Sequence, residues 1–133
     1  MLRWLHNALR SKRELLTGAP AIRRQKTYSA DSGYVYQYHY QGSRGIADGR
    51  EYVFMVTAGR RSEFPVTVSL RESALQPWQR HHGRDLTGPE RFAVAKLSMK
   101  RAFDERESPD LMRDAVQPDS TAVEEILTSL GVD

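Results

Sequence analysis

Residues 34–40 read Tyr34-Val35-Tyr36-Gln37-Tyr38-His39-Tyr40, placing four tyrosines at every second position. Successive side chains of a β-strand point to opposite faces, so this spacing puts all four rings on one face. The alternate positions Gln37, His39 and Gln41 are polar and face solvent if the tyrosine face packs on a core. An aromatic sheet face also serves single-strand nucleic-acid modules as a stacking platform, which makes Tyr36 and Tyr38 candidate ligand or nucleic-acid contacts.

Working outward, Gly42-Ser43-Arg44-Gly45-Ile46-Ala47-Asp48-Gly49 has the glycine density of a hairpin loop. It contains a bare Gly-x-x-Gly, but that motif clamps nucleic acid only between two helices, and here it follows a strand. A second strand, Arg50 to Ala58, offers Tyr52, Phe54, Val56 and Ala58 on one face. Its other face carries Val53, Met55 and Thr57, so both faces have apolar side chains to cover. Gly59-Arg60-Arg61-Ser62 makes the next turn. A third strand then alternates Phe64, Val66, Val68 and Leu70 against Thr67, Ser69 and Arg71. Short connections permit only antiparallel neighbours, and the economical arrangement is a meander of three or slightly more strands.

Beyond residue 71 the period changes from two to 3.6. Thr87-Gly88-Pro89-Glu90 has the spacing of a capping box, opening a helix to about Arg106 with Phe92, Ala95, Met99, Ala102 and Phe103 as its main stripe. Ser108-Pro109 starts a short helical segment with Leu111, Met112, Ala115 and Val116. A last helix begins near Ser120 or Thr121, carries Val123, Ile126, Leu127 and Leu130, and stops at Gly131. Strands first and helices last predict an α+β domain, with an antiparallel sheet and helices packed on one of its faces.

Upstream, Leu2, Leu5, Leu9 and Leu16 recur at helical spacing beside Trp4, Ala8 and Leu15, with Arg3, Arg10 and Arg13 towards the other side. The boundaries read as a basic amphipathic helical arm over residues 1–17, a linker over 18–31 and one α+β domain over 32–133. Leu2, Trp4, Leu5, Leu9, Arg10 and Arg13 are the candidate partner-binding residues. Such a segment suits a protein partner, a second protomer, an anionic membrane surface or a targeting signal.

The whole chain has 133 residues, enough for one domain that buries about two thirds of its unfolded surface without a staple. It holds no cysteine, which excludes disulfides, thiolate metal sites and cysteine nucleophiles. No apolar run reaches the roughly 18–20 residues of a membrane span. These features predict a cytoplasmic protein, or a mitochondrial matrix protein if residues 1–30 serve as a transit sequence in a eukaryote. The net charge of +3 is unevenly spread. Residues 1–30 hold seven basic side chains against Glu14, a net of +6, and residues 104–133 hold nine acidic against two basic, a net of −7.

Candidate chemistry is sparse. His81-His82-Gly83-Arg84-Asp85 places two histidines near an aspartate, but a metal site needs three or four ligands, and Gly83 points to an exposed polar loop. No nucleophile elbow, phosphate loop or zinc-helix motif is present. No metal or cofactor is therefore expected. The sequence favours a non-enzymatic interaction domain acting through its N-terminal arm on a protein partner or another protomer. The first alternative is a nucleic-acid-binding protein with Arg23, Arg24, Lys26, Arg44, Arg60 and Arg61 as the phosphate footprint and Tyr36 and Tyr38 stacking. The second is an enzyme or ligand carrier with a pocket between sheet and helices, using His39, His81 or His82 with tyrosine hydroxyls.

Overall fold

The computed structural model describes residues 15–133. The expected arm therefore lies outside the described residues except for Leu15, Leu16 and Thr17. Four strands, β1 (Lys26–Ser29), β2 (Val35–Ile46), β3 (Gly49–Ala58) and β4 (Phe64–Arg71), form one antiparallel sheet in the order β1-β2-β3-β4. The meander is as predicted, with an added edge strand. Within the stretch read as a linker, Lys26–Ser29 pairs with β2 from Lys26 opposite Tyr38 to Ser29 opposite Val35.

The glycine-dense segment is the larger correction, because Gly42 to Ile46 is strand rather than loop. Cross-strand partners hold it: Arg44 donates from Nε and Nη2 to Glu51 Oε1 at 2.9 and 2.6 Å, and Arg50 donates to Ser43 Oγ at 3.0 Å. The chain reverses over Ala47 and Asp48 alone, between the paired Ile46 and Gly49. A Cβ on Gly49 would stand 2.1 Å from the Leu70 carbonyl oxygen, so only glycine lets β3 start this close to β4. A bulge at Gln41 shifts the register between Tyr40 and Gly42. Ser43, rather than Gly42, thus lies opposite Tyr52 on the tyrosine face.

That face is the core. Tyr36, Tyr38, Tyr52, Phe54 and Val56 are buried, together with Phe64, Val66, Val68 and Leu70 of β4, as the alternation of both strands predicted. Three helices cover them: α1 (Glu72–His82), α2 (Gly88–Glu105) and α3 (Ser120–Ser129), with a 3₁₀ turn at Pro109–Arg113. The helix α1 corrects the loop reading of His81 and His82, which are exposed as expected but occupy its last turn ahead of the Gly83 cap. Pro77 inside it and the polar Gln76 and Gln79 obscured a stripe of Leu75 and Trp78. Gln79 is buried because its Oε1 accepts from the Leu86 amide at 2.9 Å and from Arg91 Nη2 at 3.1 Å, joining α1 to the start of α2.

The predicted capping box of α2 is present, with Thr87 Oγ1 accepting from the Glu90 amide and Glu90 Oε1 accepting from the Thr87 amide. Arg84 forks onto Glu90 at 2.9 Å through both terminal nitrogens and also donates to the Asp133 carbonyl. Asp119 caps α3, one residue before the predicted start, by accepting from the Ala122 amide at 2.8 Å. Between the helices, Val116 exchanges backbone hydrogen bonds with Thr67 and Ser69 along the outer edge of β4. Phe103 of α2 stacks on Tyr36 with centroids 4.0 Å apart and planes 9° from parallel, while Tyr28 donates to Asp104 at 2.8 Å. Asp104, accepting that bond, pushes the Tyr28 hydroxyl up to about 12.

Two stability predictions follow from these contacts. Phe103→Ala empties a fully buried site and should cost about 3–5 kcal/mol in urea unfolding; a loss below about 1 kcal/mol would contradict the packing described. The Glu90 carboxyl is held down at about 2, chiefly by Arg84 and then by the Thr87 amide. A depressed carboxyl favours the fold above its ordinary value of about 4.3 and loses that contribution as pH falls towards 2. Glu90→Gln should therefore flatten the acid limb of the stability profile between about pH 4.5 and 2, whereas an unchanged limb would show that the charge of Glu90 is not what holds the turn.

Candidate functional site

Pairing of β1 with β2 ends at Lys26 opposite Tyr38, and the chain next meets β2 where Thr17 and Ser43 exchange backbone hydrogen bonds at 2.9 and 2.8 Å. A Cβ on Gly42, whose φ is 132°, would lie 2.8 Å from the Thr17 carbonyl oxygen, so glycine also permits this second anchor. Between the anchors, residues 18–25 form no backbone ladder with the strand, and Gln25 donates from its side chain to Gln37 Oε1 at 3.0 Å. They enclose a cleft of about 890 Å³ against the sheet and the N-terminal half of α2.

The wall of the cleft is aromatic. Phe92 of α2 meets Tyr40 edge-on at 4.8 Å, and Phe54 lies 5.3 Å from Tyr40 and 6.2 Å from Phe92. Tyr52 closes the group, 6.3 Å from Phe92. Tyr40 and Phe92 are half-buried, so their rings are part core and part wall. Gly88 and Pro89 bring the positive end of the α2 dipole to one margin.

The rim is cationic. Arg24, Lys26, Arg50 and Lys96 line the cleft, and no aspartate or glutamate stands among its described lining residues. Five arginines elsewhere are matched: Arg44 pairs with Glu51, Arg61 with Asp110, Arg84 with Glu90, Arg91 with Glu72 and Arg101 with Glu125. Among the described residues, none of the four rim cations forms an ion pair; Arg50 uses a terminal nitrogen on Ser43 Oγ.

Lys96 shows the electrostatic consequence. Its ammonium is pulled down to about 8, first by a hydrogen bond with the Lys26 amine, then by burial and by the charges of Lys26 and Lys100. The site thus concentrates positive charge beside an apolar wall and disfavours its own full protonation. An anion seated there would reverse that preference.

The structure disperses most of the sequence-derived candidates. Tyr36 and Tyr38 are buried under α2, where burial pushes both hydroxyls up, and Tyr36 has both the stacked Phe103 and no solvent face to offer a base. Tyr38 reaches the cleft margin. Arg44 flanks one end of β3, while Arg60 and Arg61 sit beyond its other end, separated by more than about 20 Å at 3.3 Å per strand residue. Arg24 and Lys26 of the proposed phosphate footprint do come together, in the cleft. The histidines do not converge: His39 faces Glu63 at 3.6 Å, His82 stacks on Trp78 at 3.9 Å and its Nδ1 contacts the Trp78 carbonyl, and His81 packs against His82. Among the described residues, no three potential ligands stand close enough to hold a metal ion. Gln37 is exposed as expected, but His39 and Gln41 are half-buried, and His39 Nε2 and Gln41 Oε1 are buried without a hydrogen-bond partner. Leu2, Trp4, Leu5, Leu9, Arg10 and Arg13 lie outside the described residues.

Sequence reasoning missed Tyr40, Arg50, Phe92 and Lys96 as site residues. The available signal was Phe92 and Lys96 four residues apart on a capped helix, hence on one face, but nothing local says that the face meets Arg24 and Lys26. No described helix is long and apolar enough to cross a membrane. Comparison with protein-family models, with curated proteins and with solved structures finds no match to this chain.

Proposed function

We propose that the chain is a small-ligand-binding domain whose cleft takes a molecule with a flat apolar body and a negatively charged end. The observation that carries this reading is the pairing, in one cleft, of an aromatic wall with four cations that have no ion-pair partner among the described residues. The cleft's volume of about 890 Å³ falls in the range of small-molecule sites, roughly 300–1,000 Å³. Rings at the wall supply contact area and stacking, and the cations supply orientation and attraction. No arrangement of nucleophile, base and orienting group among the described residues assigns a reaction, so binding is the function proposed.

This reading develops the pocket expected between sheet and helices; of the residues expected there, His39 and the tyrosines Tyr38, Tyr40 and Tyr52 line the cleft and His81 and His82 do not. The nucleic-acid reading loses support because its stacking rings are core and two of its arginines are paired with carboxylates. The reading in which residues 1–17 engage a partner rests on the sequence pattern alone. The arm is itself basic, with Arg3, Arg10, Lys12 and Arg13 against Glu14, and so does not complement a cationic cleft.

The test is calorimetric titration with 2-naphthalenesulfonate, a planar ring system with one negative charge. Saturable one-to-one binding is expected with a Kd on the order of 100 µM, weakening as salt rises and absent for the neutral naphthalene methanol at the same concentration. Phe92→Ala should weaken it about tenfold, equivalent to about 1.4 kcal/mol. Equal binding of the neutral compound, or no effect of Phe92→Ala in a folded variant, would remove the cleft reading.

A further inference from the structure

We propose that the outer face of the sheet, the one turned away from the helices, is the seat of the chain's own N-terminal segment, residues 1–14. The inference is independent of the ligand-binding reading, because the cleft is walled by the tyrosine face and α2. Tyr52, Phe54 and Val56 of β3 and Phe64, Val66 and Val68 of β4 belong to the cluster that the helices bury. The alternate residues Val53, Met55, Thr67 and Ser69 therefore lie on the other face, and none of them belongs to that cluster.

This second face is nevertheless covered. Val53 is 5 % exposed, and Glu51 and Ser69, the next pair along the same face, are 8 % and 7 % exposed. In its own row Val53 has Gly42 on one side and Thr67 on the other, and neither has the bulk to close over a valine. The Arg44–Glu51 pair spans this face with both side chains largely out of water. Close by, His39 Nε2 and Gln41 Oε1 are buried without a hydrogen-bond partner. Charged and polar side chains are rarely withdrawn from solvent on a sheet face that nothing covers.

The course of the chain identifies the cover. Thr17 is hydrogen-bonded to Ser43 at the edge of β2, and the Leu16 Cβ lies 3.1 Å from the place a Cβ on Gly42 would take, Gly42 being the partner of Val53. Leu16 is the last leucine of the stripe that Leu2, Leu5 and Leu9 begin, so its final member already stands at the rim of this face. As a helix, residues 1–14 would span about 21 Å at about 1.5 Å per residue. The four strands, spaced about 4.8 Å apart, are about 14 Å across. The segment is long enough to cross the sheet and lay its leucines on Val53 and Met55. Its basic side chains, Arg3, Arg10, Lys12 and Arg13, are repelled by the cationic cleft and not by this face, where Arg44 is already paired. Seated this way, the leucines are held by the chain's own sheet and are not on offer to another protein.

The experiment uses the full chain, which has no cysteine and so can carry a nitroxide at a single introduced thiol. At helical spacing Asn7 falls on the side opposite the leucine stripe. Labelled Asn7→Cys is expected to broaden the amide signals of Gln41, Gly42, Val53 and Thr67 and to leave those of α3 sharp. Adding Leu5→Asp and Leu9→Asp should abolish that pattern and lower the melting temperature. Broadening that is absent, spread evenly over the domain or centred on Lys26 and Lys96 of the cleft overturns the proposal. Persistence of the pattern in the aspartate variant also overturns it, because the leucine stripe is then not what seats the segment. Mixing labelled chain with unlabelled, isotope-enriched chain tests a second copy as the occupant: equal broadening between chains places the segment on a neighbour and overturns the seat within one chain.

Discussion

Phe103 lies flat on Tyr36 and reaches Tyr28 and Tyr38 at centroid distances of 6.0 and 6.3 Å, and this aromatic seam sets how the helical layer sits on the sheet. The tyrosine face of β2 presents large rings at a two-residue period, and only a helix with matching bulk can close over it. α2 meets that demand with Phe103 near its C-terminal end and Phe92 near its N-terminal end. Polar contacts fix the same end of the seam, since Asp104 accepts from the Tyr28 hydroxyl and the Asp31 amide while Ser32 donates to the Phe103 carbonyl.

The cleft is what the seam leaves at the opposite end. β1 covers β2 only to Tyr38, so the half-buried rings beyond it, Tyr40 and Phe92, pack on the buried Phe54 on one side and meet open space on the other. The chain returns to the strand at Thr17, where Gly42 allows close approach. Two backbone anchors, Thr17 on Ser43 and Lys26 opposite Tyr38, frame the opening. The capping box and the Arg84–Glu90 fork steady the start of α2, so the positions of Phe92 and Lys96 follow from local structure that is itself well satisfied. Function on this reading comes from a place where aromatic rings stand half-buried beside cations without carboxylate partners, next to a closely packed core.

The strand periods and the capping box made most of the fold legible in the sequence, because both are local patterns. The tyrosine face, the alternation of β3 and β4, the start of α2 and the position of the last helix all came from spacings within ten residues or so. β1 escaped notice because four residues of an edge strand, Lys26-Thr27-Tyr28-Ser29, carry no period of their own and are held by β2. Gly42 and Gly45 misled for the opposite reason: glycine density marks a turn, but here one glycine serves a bulge and a close approach while the strand continues through Arg44 and its partner Glu51. The site was least legible. Its cations come from positions 24, 26, 50 and 96, and they line one cleft only after β1 has paired and α2 has docked.

The measurement that bears most directly on this view of the molecule is a map of backbone amide shifts in the presence of 2-naphthalenesulfonate. Binding in the cleft predicts changes concentrated at Arg24, Lys26, Tyr40, Phe92 and Lys96, with the turn carrying Arg60 and Arg61 unmoved. Changes centred on Arg60 and Arg61, or spread evenly over exposed basic residues, would show a nonspecific cationic surface and contradict the cleft as the site.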